Sequence, residues 1–213
     1  MFTGIIEEIG SLKACHSSGN SMQLLISASA VLENTRPGDS IAVNGVCLTV
    51  TRLFPDSFSA DVMPETFSST SLARSKPGAK LNLERALTMN SRIGGHFVSG
   101  HVDYVAKILS RTVNENAIIL KLSQKPELRQ MIVRKGSIAL DGTSLTVMDA
   151  DEVSFTVSLI PHTRELSIIG GKLPGETVNV ECDMLARYVA GLMGLPGNQT
   201  SLSELKLKNA GFI

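Results

Sequence analysis

The chain carries no excess of charge of either sign: 20 Lys and Arg stand against 20 Asp and Glu. That balance removes a long-range pull toward nucleic acid or an anionic membrane surface. Cysteine is scarce: Cys15, Cys47 and Cys182 are widely spaced, odd in number, and form no Cys-x-x-Cys pair. This argues against a zinc ribbon or a disulfide framework and for a reducing compartment. No apolar run nears the ~20 residues of a membrane span. The start, Met-Phe-Thr-Gly-Ile-Ile-Glu-Glu, lacks the basic residues and long apolar stretch of a secretory signal. A cytoplasmic protein is therefore expected, with a low-charge small molecule or another protein as its partner. Metal chemistry has no foothold either. His96 and His101 lie five apart around glycines, which is not the spacing of a helical zinc pair. Gly94-Gly95 and Gly170-Gly171 are lone pairs, not a phosphate loop, and no Ser-His-Asp order emerges from the spacing.

What is present is a repeat. Asn44-Gly45-Val46-Cys47-Leu48-Thr49-Val50 returns as Asp141-Gly142-Thr143-Ser144-Leu145-Thr146-Val147, 97 positions later. At that offset Ser40–Glu84 aligns with Ser137–Glu181 without a gap, and 15 of the 45 pairs are identical. Unrelated sequences would share roughly three. An offset of 96 lays Phe2–Glu7 over Val98–Asp103, so the second copy starts near residue 97. The chain reads as a tandem duplication of a domain of about 95 residues. The expected division is 1–96, 97–182 and a terminal segment 183–213. The join at 92–96 is too short for a flexible linker, so the two halves should sit against each other.

Each copy reads as all-β. Short β-prone runs (41–44, 47–54, 57–63; then 137–140, 144–148, 153–160) are separated by turn signals. Asn44-Gly45 and Asp141-Gly142 suit type I′ hairpin turns, in which both central residues need positive φ. Pro64 and Pro161 should end their strands, because proline cannot donate to a ladder. A small barrel or sandwich per half follows. After Glu181 the period turns helical. Asp183 is a candidate N-cap, and Met184, Leu185, Tyr188, Val189, Leu192 and Met193 form one stripe that Gly194 and Pro196 end. Ser201–Glu204 has capping-box spacing for a second short helix. The stripe alone does not choose between packing on its own barrel and a subunit contact.

Taken together, several motifs resemble riboflavin synthase of the alpha-chain type, a lumazine-binding tandem-barrel family. They are Met1–Ile5, the paired Asn-Gly-x-Cys-Leu-Thr-Val and Asp-Gly-x-Ser-Leu-Thr-Val, Gly94–Val102, Met63–Thr66 and Leu159–Thr163. The resemblance spans essentially the whole chain. It implies two six-stranded Greek-key β-barrels followed by a helix, and three subunits joined through that helix. It implies an active site between the first barrel of one subunit and the second barrel of its neighbour. The implied reaction is dismutation of 6,7-dimethyl-8-ribityllumazine without cofactor or metal, one molecule giving a four-carbon unit to another. The products are riboflavin and 5-amino-6-ribitylaminouracil. A lumazine synthase is the protein partner it suggests, and a non-catalytic lumazine or flavin carrier is the alternative reading.

By the same resemblance one lumazine lies on each barrel. The first would be held by Gly4, Ile5, Ile6, Cys47, Leu48, Thr49, Asp61, Val62, Met63, Pro64, Glu65 and Thr66. The second would be held by Gly100, His101, Val102, Lys135, Ser144, Leu145, Thr146, Ser158, Leu159, Ile160, Pro161, His162 and Thr163. His162 departs from the family pattern, which often has Glu there. The chemistry needs a proton taken from the donor's 7-methyl group and a nucleophile added to the acceptor. His101 is the expected general acid–base. Cys47 or Ser144 is the expected nucleophile, directly or through water. Phe2 is expected to pack on a ring, and Asp141 and Asp183 to orient groups or relay protons. The pocket pairs that differ, Asn44/Asp141, Cys47/Ser144, Glu65/His162 and Ile5/His101, are expected to assign donor and acceptor.

Overall fold

The computed structural model describes residues 1–18 and 21–194. Six strands form the first barrel: β1 (Glu8–Ser18), β2 (Ser21–Ser27), β3 (Ser40–Val43), β4 (Val46–Phe54), β5 (Ser57–Val62) and β6 (Lys80–Arg85). They close in the order β1-β2-β5-β4-β3-β6. The second barrel repeats that order with β7 (Tyr104–Asn114), β8 (Ala117–Ser123), β9 (Ser137–Leu140), β10 (Thr143–Ala150), β11 (Ser154–Leu159) and β12 (Thr177–Cys182). In each, the chain leaves the first hairpin, crosses, and returns as a three-strand meander, the Greek-key connection. Short helices α1 (Pro64–Ser69) and α2 (Pro161–Leu166) follow the fifth strand of each barrel. The two prolines that stop the strands thus also start helices, since proline suits a first helical turn.

Alternation sets the core. Along β4 and β10 every second residue points inward, so Val46, Leu48 and Val50, and Thr143, Leu145 and Val147, are buried. Phe58, Leu81 and Leu83 fill one barrel; Phe155, Leu120 and Val180 fill the other. Register shifts at Leu12/Ala14 and Val50/Arg52 recur at Ile108/Ser110 and Val147/Asp149. Such bulges bend strands sharply enough to close small barrels.

The hairpin turns form as expected, with φ of 48° and 76° at Asn44-Gly45 and 43° and 79° at Asp141-Gly142. They meet back to back across a pseudo-two-fold axis. A Cβ on Gly45 would lie 2.6 Å from the Gly142 nitrogen, so only glycine lets the backbones approach this closely. Around them a buried polar knot joins the barrels. Asn82 Nδ2 donates to the Asp141 carbonyl (2.9 Å), and Asn179 Nδ2 donates to the Asn44 carbonyl (2.8 Å). The Asn82 and Asn179 amide N–H groups donate to the Asn44 and Asp141 side chains, both at 2.8 Å. Phe2 and Val98 pair as one antiparallel bridge on the same axis. The halves do sit against each other.

Asp183 caps α3 (Met184–Leu192), accepting from the Leu185 N–H at 2.9 Å. Ala186 and Ala190 face the second barrel, whereas Leu185, Tyr188, Val189 and Leu192 are exposed. The stripe therefore does not pack on its own barrel. The short helix expected after Ser201 lies outside the described residues.

Candidate active site

Each barrel offers a strand whose outward residues are polar and whose inward residues are core. On β4, Cys47 is half-buried and Thr49 exposed; on β10, Ser144 and Thr146 repeat this. Thr49 stands opposite Asp61 on β5. Leu48, Val62, Leu145 and Leu159 are buried, leaving only their backbones to a ligand. Ser158 on β11 is half-buried; beyond β5 and β11, Met63, Pro64, Glu65, Ile160 and His162 are exposed, and Thr66, Pro161 and Thr163 half-buried.

Over these strands lie two arms, and they cross. The first arm, 2–7, leaves its own barrel and lands on β10: the Ser144 N–H donates to the Gly4 carbonyl at 2.7 Å. The second arm, 98–103, lands on β4, where the Cys47 N–H donates to the Gly100 carbonyl at 2.9 Å. Both glycines have left-handed φ, and a Cβ on either would fall within 2.6 Å of the strand's side chain. The expected grouping by barrel is therefore corrected. Gly4, Ile5 and Ile6 belong with Ser144 and Thr146, and Gly100, His101 and Val102 with Cys47, Thr49 and Asp61.

Each arm is clamped by a buried carboxylate. Glu84 accepts from the Thr3 N–H (2.6 Å), the Thr3 hydroxyl (2.7 Å) and the Gly4 N–H (3.0 Å). Glu181 accepts from Ser99 and Gly100 at the same three distances. Burial pushes both carboxyls above the ordinary glutamate range, and these hydrogen bonds pull them partly back. Composition and spacing did not single out these residues, although Glu84/Glu181 is the last identical pair of the repeat.

The second site holds a pair that motif reading missed. His96 Nδ1 lies 2.6 Å from Ser144 Oγ, while its Nε2 is buried without a hydrogen-bond partner. Burial lowers the His96 imidazole below the ordinary histidine range, and the Asp183 carboxylate offsets part of this. Its ring is thus kept neutral near pH 7 and can accept the serine proton. Among the described residues no histidine hydrogen-bonds Cys47. The usable signal was that His96 sits in the join, close in sequence to an arm.

Two expected roles change. Phe2 is fully buried between the barrels with Ala42, Val98 and Ala139, so it serves the core and not a ligand ring. Asp141 is fully buried as well: Oδ1 accepts from Asn179 and Oδ2 meets Lys172 Nζ at 2.6 Å. The Asn44/Asp141 difference therefore lies in the junction and does not distinguish the two pockets. Lys135 is exposed, with a left-handed φ of 66° where the first repeat has Gly38 at 98°. Its N–H donates to Val147, beside Thr146 (2.8 Å). Lys135→Gly is expected to remove about 1 kcal/mol of backbone strain, while a more flexible unfolded chain returns much of it. Thermal unfolding should shift by no more than a few degrees.

The "Lumazine binding domain" family model matches residues 3–86 and 99–183. Curated relatives named "Riboflavin synthase" include that of Bacillus subtilis (strain 168), 49% identical over 89% of this chain and 88% of its own. That of Actinobacillus pleuropneumoniae is 45% identical over the full length of both. That of Schizosaccharomyces pombe is 41% identical over 91% and 94%. Among solved structures, LumP complexed with riboflavin superposes with a TM-score of 0.79 at 23% identity, over 85% of this chain and 99% of that one. LumP complexed with 6,7-dimethyl-8-(1'-D-ribityl) lumazine gives a TM-score of 0.76 over the same shares. At that identity the likeness concerns the fold.

Proposed function

This chain belongs to the riboflavin synthase family of paired lumazine-binding domains, and from that premise we infer how its two unequal sites divide the reaction. It is an enzyme that dismutates 6,7-dimethyl-8-ribityllumazine into riboflavin and 5-amino-6-ribitylaminouracil. The barrels of residues 1–96 and 97–182, each with the arm that crosses from the other half, bind one lumazine apiece, and 183–213 assemble three subunits. Within one chain the two sites are related by the pseudo-two-fold axis. A neighbouring subunit brings a first site face to face with a second, and the exposed face of α3 is the seam. No helix among the described residues is long and apolar enough to cross a membrane, and we assign the reaction to the cytoplasm.

The hydrogen bond between His96 and Ser144 carries the assignment of roles. With the proton on Nε2, His96 Nδ1 accepts the Ser144 hydroxyl proton as Oγ, or a water it holds, bonds to the acceptor ring. The second site then holds the acceptor. His101, on the arm over Cys47, takes the 7-methyl proton from the donor in the first site, where the anion is delocalised into the heterocycle. Backbone groups of Leu48 and Leu145, with Thr49 and Thr146, meet the polar edges of an uncharged ligand. Each edge left unpaired costs about 1–3 kcal/mol. Holding two large rings in register supplies a further ~7–11 kcal/mol of the barrier reduction.

Purified protein incubated with the lumazine alone should produce riboflavin, followed by absorbance, with one riboflavin per two lumazines consumed. Binding without turnover would make it a carrier instead. His96→Ala should lower kcat about 10²-fold, the low end for general base catalysis, with KM within a few-fold. Because burial holds His96 below the usual histidine range, its contribution to wild-type kcat should be lost only on the acid side of that range. An acidic limb that His96→Ala leaves unmoved would remove His96 from the mechanism.

A further inference from the structure

We infer that Arg187 on α3 is a positioning residue for His101, so that the terminal helix sets the geometry of the first site. The inference rests on the reading of His101 given above. It comes from comparing the far ends of the two arms. The first arm ends at Glu7, whose carboxylate accepts from the Arg85 N–H at 2.7 Å and from Arg85 Nε at 2.9 Å. That brace is internal, since Arg85 is the last residue of β6.

The second arm ends at Asp103, which occupies the place of Glu7, and Cys182 occupies the place of Arg85. The backbone half of the brace is kept: the Cys182 N–H donates to Asp103 Oδ2 at 2.8 Å. Cys182 has no cation to give, and the cation comes from the helix instead. Arg187 Nη2 donates to Asp103 Oδ1 at 2.7 Å, and the Asp103 side chain is only 9% exposed. A charge-assisted bond shielded in this way is stronger and more directional than a surface ion pair.

His101 lies between this brace and the Glu181 clamp. Its N–H donates to Ser99 Oγ at 3.2 Å, and Ser99 Oγ donates to Glu181 at 2.7 Å. Asp103 is two residues further on, and its N–H donates to the Val180 carbonyl at 2.8 Å. A five-residue span is thus fixed at one end by the barrel and at the other partly by α3. The opposite face of α3 is the exposed stripe assigned above to the trimer seam. Arg187 makes the place where subunits join also the place where the His101 arm is aimed.

The test compares Arg187→Ala, Arg187→Lys and Asp103→Asn with wild type. Lys13→Ala, which breaks the exposed Lys13–Asp56 pair, is the control. The loosened arm in Arg187→Ala should lower kcat about tenfold, since small displacements of a reacting group are costly. Lumazine affinity and trimer mass should stay unchanged, the pH profile of kcat should change shape, and Arg187→Lys should fall between. Alkylation of Cys47 by iodoacetamide, followed on its peptide by mass spectrometry, reports the arm without turnover. It should speed up several-fold in Arg187→Ala and Asp103→Asn and not in Lys13→Ala. Unchanged alkylation, or a kcat loss matched by lost trimer, overturns the inference. A wild-type protein that leaves the lumazine unreacted overturns the proposed function, and the alkylation rates still decide the role of Arg187.

Discussion

Lys172→Ser is expected to destabilise the protein by about 3–5 kcal/mol, the cost of removing one partner from a buried ion pair. Adding Asp141→Asn should return most of that loss. The second barrel carries Asp141 and Lys172 where the first carries Asn44 and Ser75. Asn44 Oδ1 accepts the Asn82 N–H as Asp141 Oδ1 accepts the Asn179 N–H, so the double variant rebuilds an arrangement the molecule already contains. Burial pushes the Asp141 carboxyl up and Lys172 pulls it partly back. Without Lys172 only the Asn179 hydrogen bond opposes that push, and the carboxyl rises further. A carboxyl raised in the folded state favours folding below its unfolded pKa, and that contribution fades as pH rises through the folded value. The deficit of Lys172→Ser should therefore shrink as pH falls from 7 toward 4. Denaturant midpoints for wild type, Lys172→Ser and the double variant at fixed protein concentration measure this. A double variant no more stable than Lys172→Ser would refute the equivalence of the two halves.

Gly100→Ala is expected to reduce turnover at least 10²-fold while also weakening the fold. At φ +86° any side chain costs about 1–2 kcal/mol of left-handed strain. The new Cβ would also lie 2.5 Å from Cys47 Cβ, 2.9 Å from its nitrogen and 3.0 Å from Phe2 Cε2. None of these atoms is a flexible side-chain end, so the arm must lift and carry His101 away from the reacting atoms. A displacement near 1 Å is worth about 10² in rate. Gly4→Ala should do the same to the second site, since its Cβ would lie 2.6 Å from Ser144 Cβ. Gly78→Ala is the control: its φ is +88°, but nothing lies within 4 Å of the new atom. It should lose stability and keep its kcat. Equal kcat in Gly100→Ala and Gly78→Ala would show that the second arm does not form the first site.

The barrels were legible because a repeat, its Asn-Gly and Asp-Gly turns and its alternating strands all point the same way. The cap at Asp183 was legible for a similar local reason. The helices after Pro64 and Pro161 were not, since a proline that ends a strand and one that starts a helix carry the same local signal. The proposed site residues Cys47, Ser144 and His101 rest on motif resemblance, and the crossing of the arms is invisible to it. Which strand an arm lands on depends on how two folded halves dock, and a one-dimensional pattern carries no sign of that. His96 was hidden for the same reason: it is 48 residues from Ser144 in sequence and 2.6 Å from it in space. Asp141 and Phe2 misled because a polar residue and an aromatic beside a motif read as chemistry, whereas a pseudo-symmetric junction has to be filled from its own turns and termini.

That junction has an evolutionary corollary. A face made of an Asn-Gly and an Asp-Gly turn, paired asparagines and arms that reach across has the two-fold symmetry of a pairing between two copies of a single barrel. The chain can be understood as such a symmetric pair whose genes became one. While the copies were separate, any mutation changed both sites together, and the two substrates met identical surroundings. Fusion let each side drift alone, and the joining segment itself contributed His96 to one of them. A reaction between two identical molecules in different roles is what such a history makes possible.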